Sequence, residues 1–169
     1  KILYQDVEIP ITEIKVYSKI NKILKSKFEA SKINFTIENF RIKNLQKIAI
    51  RIKPSNFKSY LLNNLNGGEI KKVSFDLNIG EDFKVEDYKA NGSISKINAK
   101  IKNIFKVNDI SFNFIVDNNL TLINSIKANY EGIAISSGSI DIQRKKNIEI
   151  KGQFNSQFNF KNNQLNKLF

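Results

Sequence analysis

Lys72-Val-Ser-Phe-Asp-Leu-Asn-Ile79 decides the fold class. Val73, Phe75, Leu77 and Ile79 alternate with Lys72, Ser74, Asp76 and Asn78. A period of two puts the apolar set on one side of an extended chain and the polar set on the other, as in a half-buried β-strand. The same pattern recurs outward in both directions. Ile33, Phe35 and Ile37 alternate with Lys32, Asn34 and Thr36. Ile48, Ile50 and Ile52 alternate with Lys47, Ala49, Arg51 and Lys53. Downstream come Ile97-Ala99-Ile101, Ile110-Phe112-Phe114-Val116, Ile126-Ala128-Tyr130 and Ile133-Ile135. Ile140-Ile142, Ile148-Ile150 and Phe154-Phe158-Phe160 follow.

Turn signals punctuate these runs: Gly80-Glu81-Asp82, Asn91-Gly92, Asp117-Asn118-Asn119, Glu131-Gly132, Ser137-Gly138 and Lys145-Lys146-Asn147. Links this short join antiparallel neighbours, because a parallel crossover needs a dozen residues or more. The expectation is a mostly β chain: a long antiparallel, twisted, groove-like meander with two short amphipathic helices. The first helix is expected near 18–27, where Ile20, Ile23 and Leu24 follow Ser18 at helical spacing. The second is expected near 55–66, where Phe57, Tyr60, Leu61 and Leu65 share a face that Asn66-Gly67-Gly68 terminates. No Pro/Ser-rich linker divides residues 1–169, which read as a single β-rich unit.

Composition narrows the chemistry. The chain has no Cys, His, Trp or Met. That removes thiol nucleophiles, imidazole bases and the usual zinc ligands, so no enzyme is expected and no cofactor or metal. Net charge is +12, which raises the question of a polyanion partner. Only Arg41, Arg51 and Arg144 carry the guanidinium fork that phosphate and base recognition favours. The lysines are spread along polar strand positions, and no nucleic-acid partner is expected. No apolar run approaches the ~18–20 residues needed to cross a bilayer. Lys1-Ile-Leu-Tyr-Gln opens inside a strand-like pattern, so an internal section of a longer protein is expected.

Paired carboxylates are the one remaining catalytic ingredient. Glu81, Asp82, Glu86 and Asp87 cluster around a turn, without the spacing of a calcium loop, and read as solvated acids. Gly67-Gly68 lacks a following Lys-Ser/Thr and reads as a helix stop rather than a phosphate loop.

The stretch from Ile50 to Leu77 sets a proline (Pro54) before a short helix, then Gly67-Gly68, then a long alternating strand. This resembles a segment of the AsmA-like proteins of Gram-negative envelopes, in the YhdP-type subgroup, with TamB a more distant relative. Ile14-Lys-Val16, Ile23-Leu24 and Ile33-Asn-Phe-Thr-Ile37 look like an early strand–helix–strand unit of that family. Tyr88-Lys-Ala-Asn-Gly-Ser-Ile94 and Ile126-Lys-Ala-Asn-Tyr-Glu-Gly-Ile133 resemble its strand–glycine–strand repeats. The family's helix usually carries tryptophan and arginine; Phe57, Lys58 and Tyr60 stand here instead.

The resemblance implies an apolar β-groove that holds or conducts phospholipid between inner and outer membranes. It also implies a periplasmic location, within a parent anchored in the inner membrane. The expected partners are a phospholipid or other acyl-chain lipid, and neighbouring β-repeats of the same parent chain. Expected groove-lining residues are Phe35, Ile48, Ile50, Val73, Phe75, Leu77, Phe112, Phe114, Ile126 and Ile133. Phe57, Tyr60, Leu61 and Leu65 are expected on a helix that caps one edge. Two other readings remain open at this point: a structural β-sandwich, adhesin or assembly module with a sealed core, and a basic nucleic-acid-binding β module.

Overall fold

Strands with one apolar face gain little alone and pair with whatever follows them. A computed structural model describes residues 2–4, 6–20, 30–51, 54, 56–80, 84–101, 105–144 and 147–157. β1 (Ile2–Tyr4) and β2 (Val7–Ile9) form a separate small hairpin. Next come β3 (Ile11–Ser18) and β4 (Ala30–Arg41), then α1 (Ile42–Ile50), α2 (Asn56–Asn64) and the two-residue β5 (Leu65–Asn66). β6 (Glu69–Ile79), β7 (Val85–Ile101), β8 (Phe105–Asp117), β9 (Leu120–Tyr130), β10 (Ile133–Arg144) and β11 (Ile148–Gln157) complete the chain order.

The main sheet runs β3-β4-β6-β7-β8-β9-β10-β11 with every pairing antiparallel, and β5 adds to β7 beyond the start of β6. It is an open meander, not closed into a barrel. Seven steps between eight strands at ~20–25° each accumulate about 150° of twist. The fold class read from the alternation is therefore the fold observed.

Turn chemistry sets several links. Glu131 and Gly132 both have positive φ, 48° and 85°, the two-residue turn that matches strand twist between β9 and β10. Asp117 Oδ1 accepts the backbone N–H groups of Asn119 and Leu120, each at 2.8 Å, and so closes the β8–β9 turn.

Two expected turns are instead mid-strand. Asn91-Gly92 lies inside β7, and Ser137-Gly138 inside β10. Packing explains both. A Cβ on Gly92 would fall 2.3 Å from the Lys72 carbonyl oxygen and 2.7 Å from Val73 Cγ2. A Cβ on Gly138 would fall 2.5 Å from the Phe154 ring. Each glycine admits a close approach rather than a reversal.

The second correction concerns residues 42–50. Lys47 to Lys53 alternates like a strand, yet Ile42–Ile50 is α-helical. Ile42, Leu45 and Ala49 recur at the i, i+3, i+7 spacing of a helix face, and that face meets the core. Ile42, Ala49 and Leu61 bury together with Ile97 of β7, and Leu45, Leu62, Leu65, Ile70, Ile94, Ile110 and Phe112 pack around them. Gln46 fastens the two helices: its Nε2 donates to the carbonyls of Leu61 at 2.8 Å and Leu65 at 3.0 Å. The Ile42 N–H donates to the Gly68 carbonyl at 3.1 Å, tying α1 to the start of β6. The helix expected near 55–66 is α2. The one expected near 18–27 falls largely on residues 21–29, outside the described residues, and Ser18 ends β3.

Candidate functional site: one apolar face across eight strands

Partners in an antiparallel ladder share a face, so the register traces each surface across the sheet. One row runs Ile14–Phe35–Phe75–Ala90–Val116–Thr121–Ile142–Ile150. Beside it runs Ile11–Ile37–Val73–Gly92–Phe114–Ile123–Ile140–Gly152. A shorter third row is Val16–Ile33–Leu77–Tyr88. Thr121 and the Tyr88 hydroxyl interrupt this hydrocarbon surface, and the Arg144 guanidinium, two residues on from Ile142, reaches its margin and donates to Thr121 Oγ1 at 2.8 Å. Seven steps at ~4.8 Å make each long row about 34 Å from end to end.

The opposite face reads Lys15–Asn34–Asp76–Lys89–Asp117 and Glu13–Thr36–Ser74–Asn91, with Ile115–Leu122 as its apolar interruption before Asp141–Lys151. Thr36 and Ser74 share a hydroxyl hydrogen bond at 3.0 Å, Asn34 Nδ2 donates to Asp76, and Lys72 pairs with Glu38 at 2.9 Å. The Lys15 ammonium, 2.6 Å from Glu13, holds that carboxyl below its ordinary value. The two N–H donors of the β8–β9 turn do the same for Asp117. Every charge of these rows is on the side away from the apolar rows.

The apolar face stays in phase by a device that alternation alone does not reveal. Asn39, Lys96, Asp109 and Ser125 have φ between 52° and 57°, in β4, β7, β8 and β9 respectively. Left-handed backbone inside a strand marks a bulge, which adds one residue and bends the strand. The added residue turns the i, i+2 step into i, i+3: Ile37 to Phe40, Ile94 to Ile97, Val107 to Ile110, Ile123 to Ile126. β6 makes the same step from Ile70 to Val73, where its pairing with β7 shifts. β10 does so from Ile135 to Gly138. A band of bulges thus crosses the sheet without moving any strand's apolar set to the polar side.

On the helix side of that band α1 and α2 cover the face, over Ile70, Ile94, Ile97, Ile110 and Phe112. On the other side nothing among the described residues lies over it. Exposure along the rows is uneven: Ile14 and Ile150 on the edge strands are 56% and 66% exposed, while Val73 and Ala90 in mid-sheet are 3% and 4%. Phe35 and Phe75 stack at 4.7 Å and 16° between planes, and both are only half-buried. The result is a trough closed at one end.

Of the expected lining residues, Phe35, Val73, Phe75, Leu77, Phe112, Phe114, Ile126 and Ile133 share this face. Phe112 sits under the helices, and Val73 and Ile126 are buried between neighbours. Ile48 and Ile50 do not belong to the sheet at all: they lie on α1, Ile48 half-buried and Ile50 61% exposed. Among the expected cap residues, Leu61 is buried in the helix core, Leu65 packs against it from β5, and Tyr60 is exposed. Phe57 is in α2 with its side chain outside the described residues.

Sequence reading missed Ala90 and Gly92 as the midline of the face, because their small side chains and the Asn-Gly pair mask the alternation of β7. The i, i+3 steps were the available signal for the bulges. Of the acidic cluster, Glu81 and Asp82 lie outside the described residues. Asp87 accepts from Asn118 Nδ2 at 2.8 Å and Asn78 Nδ2 at 3.4 Å, tying two turns together. Among the described residues no three His, Cys, Asp or Glu side chains converge on a metal position.

An open cleft of about 560 Å³ has a mixed lining, with Leu122, Asp141 and Lys151 of the polar rows and Ile123, Ile140 and Gly152 of the second apolar row. No helix among the described residues is long and apolar enough to cross a membrane. No family model matches the chain, and neither does any curated protein or solved structure.

Proposed function

We propose that the open part of the apolar face holds or conducts acyl chains of phospholipid, as one section of an AsmA-like envelope protein in the periplasm. The observation that carries the reading is the pair of predominantly apolar rows across eight strands, with the charged rows on the other side. Transferring an acyl chain from water onto such a surface is worth about 0.8 kcal/mol per buried CH₂. A 16-carbon chain therefore gains up to roughly 13 kcal/mol, less whatever of it stays wet. That gain requires no nucleophile, metal or nucleotide.

Dimensions agree with the idea. One leaflet's hydrocarbon is about 15 Å deep, half of a ~30 Å bilayer core. A row of about 34 Å accommodates two such lengths end to end. A contiguous apolar patch on a sheet face commonly marks an interaction or ligand surface.

The test is uptake of a fluorescent fatty acid by the purified chain, alongside native mass spectrometry of protein extracted from cells. The expected result is bound acyl lipid, lost in Phe75→Asp, which places a carboxylate mid-row. A folded chain that carries no lipid and takes up no fatty acid overturns the reading and favours a module whose apolar face is sealed by another protein surface.

A further inference from the structure

Between Glu38 and Glu69 the chain has no acidic residue, while Arg41, Lys43, Lys47, Arg51, Lys53 and Lys58 supply six cations. Other acid-free stretches carry lysines too, five between Glu13 and Glu29 and five between Asp87 and Asp109, but here helix geometry gathers the cations on one face. Ile42, Leu45, Gln46 and Ala49 face inward. Lys43, Lys47, Ile50 and Arg51, at i, i+4, i+7 and i+8, form the outward stripe, and all four are exposed.

The β1–β2 hairpin extends this stripe. β2 packs against α1, with Val7 buried at the contact. Ile2 and Tyr4 pair with Ile9 and Val7, so they share the hairpin face that meets α1, and both remain exposed. A cleft lined by Asp6, Val7, Lys47, Ile50 and Arg51 joins hairpin to helix. Asp6 is the acidic group in that cleft. Among the described residues no ion pair engages Lys43, Lys47 or Arg51.

We infer that this stripe is a docking surface for an anionic lipid bilayer. Cations alone would suit any polyanion. Cations flanking an exposed Ile50, with Ile2 and Tyr4 at the margin, suit an interface that is charged at headgroup level and apolar just beneath it. α1 lies over the closed end of the trough, so docking there sets that end of the sheet against the membrane. Docking of this kind does not depend on whether the trough carries lipid.

The test uses the whole chain in sedimentation with vesicles of mixed phosphatidylcholine and phosphatidylglycerol, against vesicles of phosphatidylcholine alone. Binding is expected to the anionic vesicles and to weaken with salt. Lys47→Ser with Arg51→Ser should lower the partition coefficient by roughly 25-fold, about five-fold per cation removed. Because the chain has no tryptophan, Ile50→Trp reports insertion without background, and its emission should shift to the blue on anionic vesicles. Unchanged partition of the double variant, or an unshifted indole emission from Ile50→Trp, overturns the proposal. So does duplex DNA that competes for the site, if Ile50→Ser binds vesicles as well as the parent chain, since that marks a bare polyanion patch. Fatty-acid uptake keeps the two readings apart: Lys47→Ser with Arg51→Ser should retain it, and Phe75→Asp should lose it while still binding vesicles.

Discussion

The two ends of the apolar face are built from the same residue types, yet they live in different surroundings. Where α1 and α2 pack on the sheet, Leu61 of α2 and Ile97 of β7 are 3% and 4% exposed, whereas Ile14 and Ile150 on the edge strands of the open rows keep more than half of their surface. Alternation specifies which side of a strand is apolar. It does not specify what covers that side. Here cover comes from a 23-residue insertion, residues 42–64, between β4 and β6, and it reaches only one end. The covered end is a folding core under the helices; the open end is exposed at its edge strands.

Substitutions of equal chemistry at the two ends sharpen that contrast. Leu61→Ala removes a buried side chain from the helix–sheet core and should cost about 3 kcal/mol in urea denaturation. Gln46→Ala leaves two carbonyls at the α1–α2 junction without their donor and should cost about 1–2 kcal/mol. Ile150→Ala on the open edge strand should cost less than about 1 kcal/mol, since most of its surface never left water. If Ile150→Ala proved as damaging as Leu61→Ala, the open face would be a buried surface in solution and the contrast would fail.

The smallest effect concerns pH. Asp117 is held below its ordinary value by the Asn119 and Leu120 N–H groups that its carboxylate accepts. A depressed carboxyl favours the folded state above the unfolded value, and that contribution fades as pH falls through the lower folded value. Asp117→Ala should therefore shift the urea midpoint slightly downward at neutral pH. The gap from the parent chain should shrink on strong acidification.

Much of this was legible in the residues themselves. Val73, Phe75 and Leu77 announce their strand because polar neighbours separate them without a break, and Glu131-Gly132 announces its turn because glycine readily accepts the positive φ that the two-residue reversal has. The α1 segment misled because Ile48, Ala49, Ile50 and Arg51 satisfy a strand period locally. The competing spacing of Ile42, Leu45 and Ala49 wins only because Leu61 and Ile97 are there to bury it. Gly92 and Gly138 misled for a related reason. A glycine needed for a reversal and one needed for close strand packing look alike until the neighbouring strand is placed. The sidedness of the candidate trough was thus readable strand by strand, while its closed end was not, since cover is a long-range property.

If the trough works as proposed, acyl chains contact one face of this sheet and not the other. A fatty acid carrying a photoactivatable group along its chain, irradiated with the purified protein and mapped by peptide mass spectrometry, tests this directly. Adducts are expected on Phe35, Phe75 and Phe114 and none on their opposite-facing neighbours Asn34, Asp76 and Asn113. Adducts spread over both faces, or confined to the polar rows, would contradict a one-sided lipid trough.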